Sequence, residues 1–425
     1  MASVQTMDVS GFEGPSETAN VMPAARPISG ETSLGAALSG HRNSLGLLRL
    51  LLASMVIFSH AFVLGGWGSD PTHNYTAGQE SIGGFAVAGF FAISGYLIAK
   101  SGAGSDIMQF LWRRVLRIFP AFWLVLIVGA TVVGPIAWKL QGGGLRAYFS
   151  WEPGGPWSYF VSNMDLTIRQ WGIYDIFVGT TPYGSVVGYS AFNGSLWTLA
   201  YEWGCYMIIA VLVLFGLLRR ARYLVLVITG FYFIVLLANI IVPGSSGSVV
   251  PYLGDPYRVS LAFVFLLGSC LAMYSREVPF DDRLGIFAGV VVVLTLTQGG
   301  WLLIGYPALA YFLLWAAARL PVWIQWVGAK NDYSYGIYVY GFLVQQFTAS
   351  LGWNKMGYGM WVLVTLLITA ACSWLSWHLV EKRALQLKDW GPGHGIRYWY
   401  DWSAAAVRRR ARRRSMTAAV VDEAS

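Results

Sequence analysis

Residues 45–64 read LGLLRLLLASMVIFSHAFVL, a run in which only Arg49 and His60 can ionise. An α-helix of that length spans about 30 Å, the thickness of a bilayer's hydrocarbon core. Runs of similar character follow at 82–101, 118–138, 195–217, 221–243, 258–275, 284–299, 301–319, 333–352 and 359–380. Their repetition predicts an all-α fold, a polytopic transmembrane helical bundle of about ten spans. Composition agrees: the 425-residue chain is 56% hydrophobic and 12% charged, whereas soluble domains carry about 25% charged residues. The seventh and eighth spans meet at Gln298-Gly299-Gly300. That join suits either a tight turn between antiparallel helices or a break inside one long element.

Lysine and arginine accumulate in loops on the cytoplasmic side of a membrane. Arg113, Arg114 and Arg117 precede the third span, Arg219, Arg220 and Arg222 join the fourth to the fifth, and the run Arg408 to Arg414 follows the last. With ten spans these clusters share one side, so both termini are expected in the cytoplasm and the loop over 139–194 on the outer face. Residues 1–42 are rich in Ser, Gly, Ala and Pro and suggest a disordered cytoplasmic tail rather than a cleaved signal. Residues 43–383 form the membrane domain, and 384–425 read as a basic cytoplasmic tail. In a soluble protein the arginine run would suggest nucleic acid. Beside a final span it reads as the positive-inside signal, with the lipid bilayer and its anionic headgroups as partner and no nucleic acid.

Cys205, Cys270 and Cys372 lie in different spans and offer neither a disulfide framework nor metal-ligand spacing, so no metal is expected. No phosphate-binding glycine loop, dinucleotide fingerprint or internal repeat is present.

Ionisable groups inside a span cost several kcal/mol, by estimates from about 2.5 upward, and are functional candidates for that reason. Arg49 and His60 are eleven residues apart, which leaves them about 20° from one angular position and roughly 16 Å apart along the axis. Arg49 alone could be a headgroup anchor. His60 lies near the other end of the helix, where it is either a satisfied packing histidine or a base for a hydroxyl nucleophile. Arg113 and Arg117 share a helix face, and guanidinium groups on one face suit the phosphates of a ligand at the cytoplasmic mouth. Ser195 and Glu202 are also nearly aligned on the fourth helix. Asn193 or Ser195 could simply cap it, but Glu202, two turns inside, must be paired, hydrogen-bonded or protonated. Ser94 and Gly95 read first as close packing, and Tyr333, Tyr335, Tyr338 and Tyr340 as packing or interfacial side chains. Glu381, beside Lys382 and Arg383, is expected to pair locally at the headgroups.

Taken in order, Arg49 with His60, Phe90-Phe91-Ala92-Ile93-Ser94-Gly95-Tyr96-Leu97, Arg113 to Pro120, Ser195-Leu196-Trp197-Thr198-Leu199 with Glu202, and Val380-Glu381 resemble the acyltransferase 3 family of integral membrane O-acyltransferases. The resemblance covers most of 43–383. It implies His60 as catalytic base and Arg49 as essential, with Arg113, Arg114 and Arg117 on the phosphates of acyl-coenzyme A, a co-substrate rather than a bound cofactor. Glu202 would orient or charge-balance His60, or bind acceptor hydroxyls, while Ser94, Ser195, Trp197 and Tyr338 would serve substrate or packing. The acyl group would be acetyl, the acceptor a carbohydrate and the location a bacterial inner membrane. Two departures stand out: Gly46 replaces an aspartate common among relatives, and Tyr340-Gly341-Phe342 replaces a ninth-helix histidine. About 45 residues follow the last span, so a stand-alone membrane module, without the hydrolase-like domain of some relatives, is expected. The competing class is a transporter or flippase of a glycan or small molecule, in which buried Arg, His and Glu would line a substrate or proton path.

Overall fold

A computed structural model describes residues 33–40 and 43–406. Most of the expected N-terminal tail, and 407–425 with the arginine run, lie outside these residues. The described end of that tail is docked: Leu34 is fully buried, and its amide donates to the Val278 carbonyl (2.9 Å).

Ten long helices follow the expected spans. They are α1 (Leu45–Gly65), α2 (Ile82–Gly102), α3 (Ile107–Leu140), α4 (Trp197–Leu214), α5 (Tyr223–Ile241), α6 (Pro256–Met273), α7 (Asp282–Gln298), α8 (Trp301–Arg319), α9 (Ser334–Ser350) and α10 (Tyr358–Asp389). Eight are long and apolar enough to cross a membrane, α7 and α9 being shorter. α9 is buried along nearly its whole length, so neighbouring helices, not lipid, surround its tyrosines and glutamines. By contrast Val227, Phe231 and Ile234 of α5 and Phe287, Val293 and Leu294 of α7 are exposed, as lipid-facing surfaces require. Between α7 and α8 the chain makes the tight turn, through Gly299 (φ 123°) and Gly300 (φ 87°). No strand occurs among the described residues.

The basic loops gather at one end of the bundle. Arg219 Nε donates to the Ala103 carbonyl, and the Ile396 amide to Asp106 Oδ2 (2.9 Å). Asp106 also caps α3 through Gln109 (3.0 Å), so the arginine face begins at a fixed point. At the opposite end lie the short helices Leu145–Tyr148, Pro156–Asn163 and Pro182–Val187, the last of which packs on α1.

The expected close packing at Gly95 is present. A Cβ there would fall 1.8 Å from the Phe265 carbonyl oxygen, and one on Gly268 would fall 2.0 Å from that of Ala92. The backbones of α2 and α6 touch, as small residues allow within a membrane. Gly95→Val is therefore expected to abolish recovery of folded protein from membranes, measured as monodisperse yield in detergent. Wild-type yield would show that α2 can move away from α6.

Candidate active site

A cavity of about 250 Å³ opens among α1, α2, α3, α4, α9 and the end of α10. On α2 its wall runs from Val87 to Ile98, roughly 16 Å along the helix axis. It is a slot rather than a bowl. Arg49, Arg113, Arg114, Arg117 and Lys388 line it from the basic end, and Glu202 is the carboxylate on its wall. Cations outnumber acids, which favours an anionic ligand at this mouth.

The arginines are held differently. Arg49 and Arg117 both donate to Asp332 Oδ2, the latter at 2.5 Å. Arg117 also lies over the Tyr335 ring, 5.4 Å from its centroid. Asp332 just precedes α9, where the helix dipole favours an anion, and accepts from Ser334 Oγ (2.5 Å) and its amide (3.2 Å). Burial works against its ionisation, but Arg117, Arg49 and the Ser334 bonds prevail and hold its pKa down at about 2. Arg113 pairs with Asp389 (3.1 Å), while Arg114 donates to Ser101 Oγ (3.4 Å), lies over the Phe110 ring (5.8 Å to its centroid) and forms no salt bridge among the described residues. The Nε atoms of both are buried without a partner among the described residues. Glu381 does not pair with Lys382 or Arg383 at the surface. A π-helical turn, Trp377–Glu381, rotates it inward, where it accepts from Ser376 (2.9 Å) and lies 3.9 Å from Arg117.

Deeper in the slot, Glu202 Oε1 accepts from Ser94 Oγ (2.9 Å) and Tyr206 Oη (2.5 Å). Ser94 thus serves the cavity while Gly95, its neighbour, serves packing. Tyr338 and Thr198 share a 2.5 Å hydrogen bond at the far end. Neither Asn193 nor Ser195 caps α4: Asn193 Nδ2 donates to the Val339 carbonyl (2.6 Å), and Ser195 Oγ is buried without a partner among the described residues. Trp197 packs edge-on to Tyr201 and Tyr257.

His60 does not line this slot. It is half-buried, with Phe342 edge-on to its ring at 5.3 Å between centroids. Phe342 is four residues beyond Tyr338, so the imidazole stands about one helical turn, roughly 6 Å, past the slot's end. The carboxylate whose charge reaches His60 is that of Asp70, not Glu202. Asp70 is buried and accepts from Ser59 Oγ (2.6 Å), Thr72 Oγ1 (2.6 Å), the Thr72 amide (2.9 Å) and the Ile82 amide (3.3 Å). Burial alone would raise its pKa, but these bonds together keep it below the ordinary carboxylate value. Glu202 and His60 therefore belong to separate groups, and the carboxylate near the histidine, bonded to the adjacent Ser59, is one the sequence reading passed over.

Residues 42–378 match the family model described as an acyltransferase domain. The chain belongs to that family. It is a membrane-embedded acyltransferase. An O-acetyl transferase of Shigella phage Sf6 is 32% identical over 81% of this chain and 96% of its own. Nodulation protein 10 of Rhizobium leguminosarum bv. viciae is 29% identical over 82% of this chain and 95% of its own. No solved structure matches.

Proposed function

We propose that this acyltransferase is an enzyme of the bacterial inner membrane. It moves an acyl group from acyl-coenzyme A, held from the cytoplasm, to a hydroxyl of a carbohydrate or glycosylated acceptor arriving from the other side. The observation that carries this reading is the slot itself, basic at one end and ending about one helical turn short of a histidine beside a buried carboxylate. A phosphate-tailed donor has its charge at one end and its reacting carbonyl at the other. Arg113, Arg114 and Arg117 would take the phosphates, and the narrow arm would follow the slot between Phe90, Ser94 and Tyr338. At about 250 Å³ the slot has room for the arm, with the nucleotide left at the mouth. The name of the phage relative supports acetyl as the group moved.

A thioester is already activated, so position and proton transfer suffice. The acceptor's hydroxyl oxygen attacks the thioester carbon while His60 takes the hydroxyl proton. The carbon–sulfur bond breaks, the ester forms, and the imidazole's proton passes to the departing thiolate. Asp70 stabilises the transient imidazolium. Glu202, with Ser94 and Tyr206, shapes the slot wall.

The test is transfer of label from acyl-labelled coenzyme A into membrane glycans, in cells with and without the chain at matched membrane content. Label that depends on the chain is the expected result. No label, with altered export of a glycan or small molecule, would instead favour the transporter class.

A further inference from the structure

The end of α10 and the stretch that follows it, which the sequence reads as a basic tail from 384 onward, fold onto the cavity mouth. Trp112 Nε1 donates to the Leu387 carbonyl (2.8 Å), and the Ile396 amide donates to Asp106 Oδ2 (2.9 Å). Gly393 lies so close beneath that a Cβ would come 2.1 Å from the Lys388 carbonyl oxygen. These contacts pin both ends of 387–396 to the first turns of α3, the helix that carries the arginine face. Leu385 and Lys388 line the slot, and Asp389, 65% exposed, reaches back to Arg113.

We propose that residues 385–396 form the cytoplasmic wall of the donor site, in which Lys388 binds a donor phosphate and Asp389 holds Arg113 until a phosphate displaces it. The inference rests on the coenzyme A reading above. Lys388 makes no ion pair among the described residues, although three arginines crowd the same mouth. Lys388 is exposed and lines the slot with these arginines, so its ammonium is free to add a contact to an anion held there. Asp389 has the opposite character. An ion pair as exposed as Arg113–Asp389 adds little to a fold, and a phosphate offers the guanidinium more charge and more acceptor oxygens than one carboxylate does. The exchange leaves the arginine pre-positioned without locking the site shut.

The experiment is titration of the detergent-purified full chain with coenzyme A over a series of NaCl concentrations, for wild type, Lys388→Gln and Asp389→Asn. Lys388→Gln is expected to weaken binding about three- to tenfold and to flatten its salt dependence, because one charge contact is lost. Asp389→Asn is expected to tighten binding about two- to fivefold, as removal of a competitor should. A gain of that kind cannot come from misfolding. Wild-type binding with both variants unchanged would overturn the wall inference and leave the donor reading intact. No binding of coenzyme A by wild type would overturn the donor reading, and this inference with it.

Discussion

His60→Ala is expected to reduce acyl transfer by about 10²- to 10⁴-fold, the usual contribution of a positioned general base, while coenzyme A still binds. The split follows from the geometry. The basic mouth is built by α3, α10 and Arg49 at the start of α1, and His60, roughly 16 Å further along α1, stands beyond the slot's far end against Phe342. Truncating a half-buried ring whose aromatic neighbour is met edge-on leaves the donor contacts untouched. Label transfer at equal expression measures the first quantity, and titration with coenzyme A the second. Transfer at the wild-type rate would remove His60 as the base. Asp70→Asn gives the companion measurement. The four bonds that hold Asp70 ionised also fix it beside the imidazole. Losing its charge should slow transfer about tenfold, in line with one electrostatic contact to a transient cation.

The parts of this site that lie on one helix were legible in the sequence, because helical spacing converts residue numbers into faces. Arg49, His60, Arg113 and Arg117 could be placed within a few ångströms of axial height from a rise of about 1.5 Å and a turn of about 100° per residue. What could not be read is which helices face one another. Glu202 looked like a partner for His60 because both are ionisable groups inside spans, yet α4 turns it toward Ser94 and Tyr206. Asp70 sits in a loop, where an aspartate costs nothing in sequence terms, and only the fold draws it under Ser59 and beside the histidine. Asp332 left one faint signal, an acid two residues before Ser334 at a helix start, which is an N-cap pattern. Gln345 and Gln346 were legible in principle as amides inside a span. They donate to the Ile57 and Ala191 carbonyls at 2.9 and 2.8 Å, tying α9 to α1 and to the loop between α3 and α4. The inward turn of Glu381 depends on a π-helical residue inserted at the end of α10, and no spacing rule for a regular helix anticipates that.

Asp332→Asn is expected to cost about 3 kcal/mol of stability at neutral pH, the low end for breaking a buried ion pair. The low end applies because the side chains of Arg49 and Asp332 keep 23% and 19% exposure. The effect should exceed that of any single arginine at the mouth, since one carboxylate holds Arg49 of α1 and Arg117 of α3 at the start of α9. Without it two guanidinium groups face each other with only Glu381, 3.9 Å from Arg117, to offset them. The pH dependence has a definite sign. The carboxyl titrates at about 2 in the folded chain against an ordinary 3.8, so its stabilisation is complete above 3.8 and disappears as pH falls toward 2. Thermal unfolding in detergent should therefore separate wild type from the variant at pH 7, and the gap should close on acidification through that window. A gap that persists at low pH would mean that the introduced amide disturbs packing rather than charge. No gap at neutral pH would mean that α1, α3 and α9 are held together by their apolar faces alone.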